Sequence, residues 1–355
     1  MKELILVGGG HAHIQVLHAL QFSEHQVTLI SDVPLAPYSG MLPGHLAGNF
    51  TEEELLFDLK KICARFKYYF IQETVLKVDA EKQLVTLSGG KTIRFDICSL
   101  NVGILPRTIP PEAESPHVIY VKPISNFLEK WRSSLQDIGD EGKILVVGGG
   151  AAAFELAVAC GTRFPSRVTL ITGEQGLTLP RGANKQGRRA LQNLGVELIE
   201  GQKVDKIEDG KLWQGSTMRS FAVTLIAITA RPTELIGKSG LPKSSEGHVL
   251  VDDFLRVKGS SVMFAAGDCA HFLTRDLPKA GVYAVRQGPV LAQNILSALK
   301  DSRNLKRYVP QKTTLSLLIT GQEEALFCWR GLAIRGRTPW ILKRWIDRRF
   351  MRKFS

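Results

Sequence analysis

The chain has 355 residues, of which 44% are hydrophobic, and it carries a formal net charge of +12. This length suffices for two or three ordinary domains, and the composition excludes a collagen-like or low-complexity chain. The five cysteines form no C-x-x-C pair, so neither a zinc ribbon nor a secreted disulfide framework is supported, and a reducing, cytoplasmic compartment is the simpler interpretation. The longest apolar run, residues 221–230, is about half of a membrane-spanning helix, so we predict that the chain does not cross a membrane.

The first thirty residues predict a βαβ unit built around a glycine turn. Its strand, turn, apolar-periodic helix and second strand lie at residues 3–7, 8–13, 14–20 and 27–30. Gly8 permits the tight turn, Gly10 lets the backbone approach a pyrophosphate, and the helix directs its positive N-terminus at the phosphates. His13 replaces the third glycine and is expected to crowd the helix–strand contact, and Ser31 stands where an acid would contact a ribose. His11 and His13 diverge by about 200° around the helix, so no metal site is predicted there.

A hairpin and a second βαβ unit follow in chain order. Gly89-Gly90 predicts a hairpin turn between short strands within residues 82–103. Residues 143–172 then repeat the order of strand, glycine turn, helix and strand. Three residues of this second turn fit the G-x-G-x-x-G/A fingerprint fully: Gly148, Gly150 and Ala153. Two such fingerprints, each opening a βαβ unit, are hard to obtain by chance, so we predict two dinucleotide-binding domains.

The second unit also carries a weak signal of nucleotide preference. An acid at the end of its second strand would favour the 2′-hydroxyl of NAD, and a basic residue would favour the 2′-phosphate of NADP. Thr172 occupies that position and Glu174 follows two residues later. The pattern favours NADH slightly and leaves NADPH open.

Downstream segments complete a pattern that resembles a known family. They are ITARP (228–232), a strand ending in Ala-Ala-Gly-Asp (265–268) and KAGVYAVRQGP (279–289), which opens an amphipathic helix predicted over residues 279–299. Together with the two glycine turns, these motifs resemble the two-dinucleotide-binding-domain flavoproteins of the pyridine nucleotide-disulfide oxidoreductase superfamily. GGGHAHI (8–14), YSGMLPGHLAG (38–48) and the C-terminal tail resemble the branch that is found fused to selenide, water dikinase and is related to type II NADH dehydrogenases.

The resemblance implies a fold and a domain arrangement. The expected class is α/β, with two Rossmann-like dinucleotide-binding domains, the NAD(P)H domain being inserted into the FAD domain. The expected boundaries are residues 1–118 and 245–309 for the FAD-binding domain, 119–244 for the NAD(P)H-binding domain, and 310–355 for a C-terminal extension with a basic amphipathic tail.

Site residues also follow from the fingerprints and the resemblance. The residues expected to contact FAD are Gly8, Gly10, His11, Ala12, Ser31, Gly103, Gly267, Asp268, Gly281 and Val282. Those expected to contact NADH or NADPH are Gly148, Gly150, Ala153, Thr172 and Arg231. The catalytic candidates are Glu155, Lys279 and Tyr38. By the resemblance, Asp268 bonds the ribityl chain and Glu155 lies near the flavin and the nicotinamide.

Lys279 stands at the start of the helix that the resemblance directs at the flavin. Reduction of the flavin leaves negative charge near its N1 atom, and a helix N-terminus together with an ammonium group would stabilise that charge. The alternative, that Lys279 is a solvated residue in front of the helix, stays open. Gly281 and Val282 replace the Ala-Gln pair with which type II NADH dehydrogenases form part of a quinone pocket.

The segment at residues 37–44 is where many relatives carry a reactive cysteine pair, and here it has none. An internal thiol relay is therefore excluded, and electrons are expected to pass to a diffusible acceptor. A quinone is the favoured acceptor, because it takes two electrons without a nucleophile. Tyr38, His45 or solvent would supply protons. The alternatives are a flavin reductase of selenium or sulfur metabolism, and a flavin-containing redox sensor or scaffold without rapid turnover.

The tail from Arg330 to Ser355 contains nine Lys/Arg and one acid, which points to a surface or a partner and not to a nucleic-acid groove along the whole chain. We predict a helix that begins at Pro339. Its apolar side is expected to contain Trp340, Ile341, Leu342, Trp345 and Ile346, and its opposite side Lys343, Arg344 and Arg348. Peripheral contact with a membrane surface, docking on the protein's own flavin domain and docking on a partner all remain open.

Overall fold

The computed structural model describes residues 1–107, 115–202, 204–208, 210–214, 217–228 and 230–355. Thr229 of the ITARP motif lies outside the described residues. The first part of the chain contains β1 (Glu3–Val7), α1 (His11–Ala19), β2 (Gln26–Ser31), β3 (Leu35–Pro37), α2 (Leu42–Leu46), a 3-10 turn (Glu53–Leu55), β4 (Leu56–Asp58), α3 (Leu59–Arg65), β5 (Tyr69–Gln72), β6 (Val75–Asp79), β7 (Leu84–Leu87), β8 (Thr92–Arg94), β9 (Ile97–Leu100) and β10 (Leu105–Pro106).

The second part contains β11 (Val118–Tyr120), α4 (Ile124–Ile138), β12 (Ile144–Val147), α5 (Ala151–Arg163), β13 (Val168–Ile171), α6 (Asn184–Asn193), β14 (Glu197–Ile199), β15 (Lys206–Glu208), β16 (Lys211–Gln214), β17 (Thr217–Ser220), β18 (Val223–Ile226), β19 (Ala230–Arg231) and α7 (Glu234–Lys238). The third part contains β20 (Val249–Val251), β21 (Met263–Ala265), a 3-10 turn (Gly267–Cys269), β22 (Ala270–Phe272), α8 (Gly281–Leu299), β23 (Ser316–Gly321), β24 (Glu324–Trp329), β25 (Leu332–Gly336) and α9 (Arg337–Phe354).

The first sheet is parallel, with the strand order β21-β9-β1-β2-β5. Its central strand is β1, and Val7 at the end of β1 lies beside Ile30 of β2 and Leu100 of β9. Residues 4–7 are buried and apolar throughout, as a parallel strand covered on both faces requires. Because parallel strands end at one edge, the segments that follow β1, β2, β9 and β21 meet there.

The second sheet repeats this arrangement with the order β11-β18-β12-β13-β14, all parallel. Val147 at the end of β12 lies beside Ile171 of β13 and Ile226 of β18. Each of the two sequence fingerprints therefore stands at the carboxyl edge of its own parallel sheet. The predicted fold class, α/β with two Rossmann-like units, is confirmed.

The predicted local elements agree with the observed ones to within a few residues. Gly90, with a φ of +82°, turns the chain between the antiparallel strands β7 and β8, as the hairpin signal predicted. The helix predicted over residues 279–299 is α8, and it begins at Gly281. α1 begins at His11, directly after the glycine turn, and packs against α8.

The C-terminal extension consists of the antiparallel sheet β23-β24-β25 and the helix α9, which packs on β24. α9 begins at Arg337 and not at Pro339 as predicted, and its residues Met351 and Phe354 are buried. Lys343 was predicted to lie opposite the apolar side, but it is buried against the rest of the protein, whereas Ile341 and Trp345 are about half exposed. No helix of the described residues is long and apolar enough to span a bilayer.

His13 occupies the position of the third glycine in the motif and was expected to crowd the contact between helix and strand. In the structure its side chain is accommodated there. The ring is fully buried, with its Nδ1 atom 2.7 Å from Gly8 O and its Nε2 atom 2.9 Å from Ser99 Oγ. A carbonyl can only accept, so Nδ1 carries the proton, and Nε2 accepts from the Ser99 hydroxyl. The ring fits because a hydrogen-bonding group stands at each of its ends.

Burial lowers the pKa of His13 from 6.5 to about 4. The unfolded chain therefore binds this proton first, so the stabilisation is present above pH 6.5 and is lost as the pH falls towards 4. We expect His13 alone to lower the free energy of unfolding by about 2 kcal/mol between pH 7.5 and pH 5. Urea unfolding of the wild type and of H13N at both pH values measures this change in the free energy of unfolding. Equal losses in the two proteins would contradict it.

Candidate functional site

The turn at residues 8–10 joins β1 to α1 and forms the first candidate phosphate site. Gly8 has a φ of +91°, in the left-handed region that favours glycine. A Cβ added at Gly10 would lie 2.2 Å from Asn101 Oδ1, so no larger residue fits there. The N–H of Ala12 donates to the same Oδ1 atom over 3.1 Å. Phosphates bind well at such a turn, because the helix dipole and backbone N–H groups converge there.

Other predicted FAD contacts lie at the same edge of the first sheet. Ser31 is buried at the end of β2, and its hydroxyl accepts from the N–H of Val33 over 3.4 Å. Gly103, with a φ of +66°, follows β9. His11 is at the start of α1, with its ring Nε2 3.4 Å from Pro37 O. The parallel sheet therefore brings these separate sequence positions together.

The Gly267-Asp268 pair follows β21 at this edge. Gly267 has a φ of +76°, and its N–H donates to Gln287 Oε1 of α8 over 2.6 Å. The carboxylate of Asp268 accepts from Lys122 Nζ over 2.6 Å. Lys122 follows β11 of the second sheet, so this ion pair connects the two dinucleotide units.

The N-terminus of α8 is close to the segment around Tyr38. A Cβ added at Gly281 would lie 2.9 Å from Ser39 Oγ, and Val282 in the first turn is partly exposed. The N-cap residue, Ala280, has no side chain that can cap the helix, so its positive end can serve a ligand. The ammonium of Lys279 donates to Ala270 O over 2.5 Å, and burial lowers the pKa of Lys279.

The second glycine turn leaves room for a dinucleotide. Gly148 has a φ of +145°, and a Cβ there would lie 2.3 Å from Ala227 O. Ala153 is buried in α5, where only a small residue fits beside Gly148. A Cβ at Gly150, by contrast, would meet nothing within 4 Å, so the surface above this residue is open.

The remaining residues predicted to contact the nucleotide are differently exposed. Thr172 is fully buried at the end of β13, and its hydroxyl has no hydrogen-bond partner among the described residues. Glu174 is exposed in the loop that follows. Arg231 is exposed in β19, which pairs with β10 near the first unit.

Two of the predicted catalytic residues, Tyr38 and Glu155, belong to a cluster that α9 completes. Lys343 Nζ donates to Gly40 O over 2.8 Å and to Asp347 over 3.1 Å, and Tyr38 hydrogen-bonds to Asp347. Glu155 interacts electrostatically with Lys343 and accepts from the N–H of residue 319 over 2.9 Å. Polar side chains from three separate parts of the chain thus meet at the cysteine-free segment.

Burial and neighbouring charges both shift the pKa values of the residues in this cluster. Burial alone would lower the pKa of Lys343, but the Asp347 and Glu155 carboxylates outweigh that effect and raise it. Burial raises the pKa of Glu155, and Lys343 offsets this only partly. Burial and Asp347 raise the pKa of Tyr38. Burial also raises the pKa of Asp347, and the Lys343 ammonium offsets this in part.

The glycine turn of each unit fits a dinucleotide cofactor. Gly8 and Gly148 have left-handed backbone, a Cβ at Gly10 would collide with Asn101, and Gly150 presents an open surface. The uncapped start of α8 suits the flavin end of the cofactor. FAD and NADH or NADPH are the cofactors of this protein.

Several residues of the site were not predicted from the sequence. They are Ser99, Asn101, Lys122, Gln287, Lys343 and Asp347. Only Asn101 had a detectable signal, because it stands two residues before Gly103, which was predicted to contact FAD. A lysine within a strongly basic helix gives no sequence sign that it is buried.

Comparisons with known proteins agree with this geometry. The family described as pyridine nucleotide-disulphide oxidoreductase matches residues 2–288. The mouse protein "Ferroptosis suppressor protein 1" is 26% identical, with 91% of this chain and 87% of the relative covered. "Type II NADH:quinone oxidoreductase" of Staphylococcus aureus is 25% identical, with 100% of this chain and 96% of the relative covered.

Solved structures show the same fold. NDH2 from Plasmodium falciparum in complex with NADH superimposes with a TM-score of 0.83 at 15% identity, covering 99% of this chain and 97% of that one. The sulfide:quinone oxidoreductase of Aquifex aeolicus gives a TM-score of 0.82 at 19% identity, covering 100% and 91%. With two matching dinucleotide turns and a family match over most of its length, the chain belongs to the pyridine nucleotide-disulphide oxidoreductase family, as an FAD-dependent NAD(P)H oxidoreductase.

Proposed function

We propose that this protein is an NAD(P)H:quinone oxidoreductase. The observation that carries the proposal is the cluster of Tyr38, Glu155, Lys343 and Asp347 beside a segment without cysteine. All five cysteines of the chain are free and buried, which disfavours a thiol relay. Relatives that cover the whole chain are named type II NADH:quinone oxidoreductases, which supports the same acceptor.

The overall reaction converts NAD(P)H, a proton and a quinone to NAD(P)+ and a quinol. FAD, when bound, accepts a hydride from NAD(P)H and passes two electrons to the second substrate. Reduction of a quinone also consumes two protons, so a proton donor beside the acceptor is required. Burial raises the pKa of Glu155, which favours this carboxyl group as the proton donor, and Lys343 presents a positive charge that would stabilise a quinone oxygen as it gains electrons.

The assignment of the two units to their cofactors is part of the proposal. We assign FAD to residues 1–118 and 245–309, NAD(P)H to residues 119–244, and a covering role to the extension at residues 310–355. The strand order supports this division, because β21 belongs to the first sheet although it follows every strand of the second sheet along the chain. Glu174 is the first exposed charged side chain after β13, and its repulsion of a 2′-phosphate favours NADH.

The exposed face of α9 suits peripheral contact with a membrane. Ile341 and Trp345 are 54% and 51% exposed, and Leu332 and Ile334 of β25 are 53% and 49% exposed. Arg349 lies over the Trp345 ring at 5.1 Å, so basic and apolar groups alternate on this face. Such a face inserts apolar side chains at the head-group level while its cations attract anionic lipid. The opposite face of α9 docks on the first unit, so the two roles of the tail coexist.

The double variant I341D/W345D should lose vesicle binding, because two carboxylates would replace the apolar side chains that enter the lipid. We expect at least a tenfold weaker association with vesicles of anionic phospholipid in flotation experiments. M218D, which changes a similarly exposed apolar residue of β17, serves as the control and should float like the wild type. Flotation of all three proteins to the same extent would contradict membrane contact through α9.

Anaerobic stopped-flow spectroscopy tests the proposed function. The yellow protein is reduced with NADH or NADPH and then mixed with a soluble quinone, with polysulfide or with a selenium acceptor. Rapid return of the flavin absorbance with quinone supports the proposal. Return only with a sulfur or selenium acceptor would replace it with the reductase of selenium or sulfur metabolism, and slow return with every acceptor would favour a sensor.

A further inference from the structure

A buried asparagine connects three chain segments at the edge of the first sheet. Asn101 is 5% exposed and follows β9, and its N–H donates to Val7 O over 2.9 Å. Its Oδ1 atom accepts from the N–H groups of Ala12 at 3.1 Å and His13 at 3.4 Å. Its Nδ2 atom donates to Ala266 O over 2.6 Å. One side chain thus caps α1 and holds the end of β21.

The glycines of two separate motifs pack directly against this side chain or its backbone. A Cβ at Gly8 would lie 2.6 Å from Asn101 O, one at Gly10 2.2 Å from Oδ1, and one at Gly267 2.5 Å from Nδ2. These spacings leave no room for any other residue type. In this chain, glycine at these three positions accommodates Asn101 as well as a dinucleotide.

The same region has a second polar support. The His13 ring spans from Gly8 O to Ser99 Oγ, and Ser99 is two residues before Asn101 on β9. His13 and Asn101 therefore fix the glycine turn from both sides. Buried side chains that are fully hydrogen-bonded hold a site in one geometry and reduce the ordering that a ligand must impose.

We propose that Asn101 is a positioning residue for FAD, whose side-chain amide locks the phosphate turn at residues 8–10 to the strand end that carries Gly267 and Asp268. This role goes beyond the proposed quinone reduction and rests only on FAD binding in the first unit. The pyrophosphate and the ribityl chain contact different segments, and Asn101 sets the distance between those segments. Loss of the amide would let them move independently, so that FAD binds more weakly while the second unit stays intact.

The test measures FAD affinity in the holoenzyme. N101A removes both links, and N101D keeps the acceptor for α1 but replaces the donor to Ala266 O with an oxygen. The release of FAD on dilution, followed by its fluorescence, should give a dissociation constant about tenfold to a hundredfold higher in N101A and at least tenfold higher in N101D. The NADH affinity of both variants should equal that of the wild type.

N294A is the matched control, because Asn294 is also fully buried and also makes three side-chain hydrogen bonds, to Phe254 O, Lys306 O and Lys306 N. It should lower the melting temperature about as much as N101A does, without weakening FAD binding. Wild-type FAD affinity in both Asn101 variants, or equal FAD loss in N294A, would overturn the inference. If N101A fails to fold, the isosteric N101D decides. A colourless wild type would instead overturn the proposed function itself.

Discussion

Replacing Lys343 with methionine is expected to abolish most quinone reductase turnover while NADH still reduces the flavin at the wild-type rate. The ammonium lies 2.8 Å from Gly40 O and 3.1 Å from Asp347, beside the cysteine-free segment. Without it, the cluster lacks the positive charge that would stabilise a quinone oxygen. It also lacks the cation that offsets the buried carboxyl groups of Glu155 and Asp347. The loss of a positioned acid–base or electrostatic group reduces a chemical step by about a hundredfold or more. Single-turnover stopped-flow measurements separate the two half-reactions.

A double variant distinguishes chemistry from folding. K343M leaves Asp347 buried, 4% exposed, without its cation, which costs about 3–5 kcal/mol of unfolding free energy. K343M/D347N removes both charges, so we expect most of that stability to return while quinone reduction stays slow. Recovery of turnover together with stability would show that Lys343 acts only through folding. Unchanged quinone reduction in K343M would refute its proposed role directly.

The second large effect is expected from G150A. A methyl group there meets no protein atom within 4 Å, so the chain should fold and keep its flavin. The same open surface is where a pyrophosphate approaches the start of α5, and the methyl group would occupy it. We expect the apparent affinity for NADH to fall by at least tenfold, which corresponds to about 1.4 kcal/mol. The dependence of the rate of flavin reduction on NADH concentration measures this loss.

G237A is the control for this experiment. Gly237 lies in α7, and a Cβ there also meets nothing within 4 Å. Alanine suits a helix better than glycine, so the variant should be as stable as the wild type or slightly more stable, with unchanged NADH affinity. Equal NADH affinities in G150A and G237A would show that the nucleotide does not bind at this turn.

The glycine turns were predictable because their signal is local. A left-handed φ at Gly8 favours glycine at that position, and the glycine spacing of both turns is legible in the sequence itself. The strand and helix periods around the turns are equally local, so the two βαβ units and the helix α8 could be predicted within a few residues.

The cluster of Tyr38, Glu155, Lys343 and Asp347 could not be predicted, because its residues become neighbours only through tertiary packing. Lys343 is about 300 residues from Gly40 along the chain, and the sequence places it among arginines that are mostly exposed. Whether such a lysine is buried depends on Asp347 one helical turn later and on Glu155 from another domain. Asn101 and His13 are similar cases, since each requires a partner on a different strand.

Under the proposed membrane contact, the two faces of α9 would set a short path for a fat-soluble acceptor. Lys343 is buried and Trp345, two residues later, is half exposed, so they lie on different sides of a single rigid helix. An α-helix with its side chains is about 10–12 Å across. If Trp345 lies among lipid head groups as proposed, the ammonium would be about one helix width from the bilayer. The isoprenoid tail of a quinone could then stay in the hydrocarbon while its ring reaches the cluster, and the acceptor would not have to travel through water.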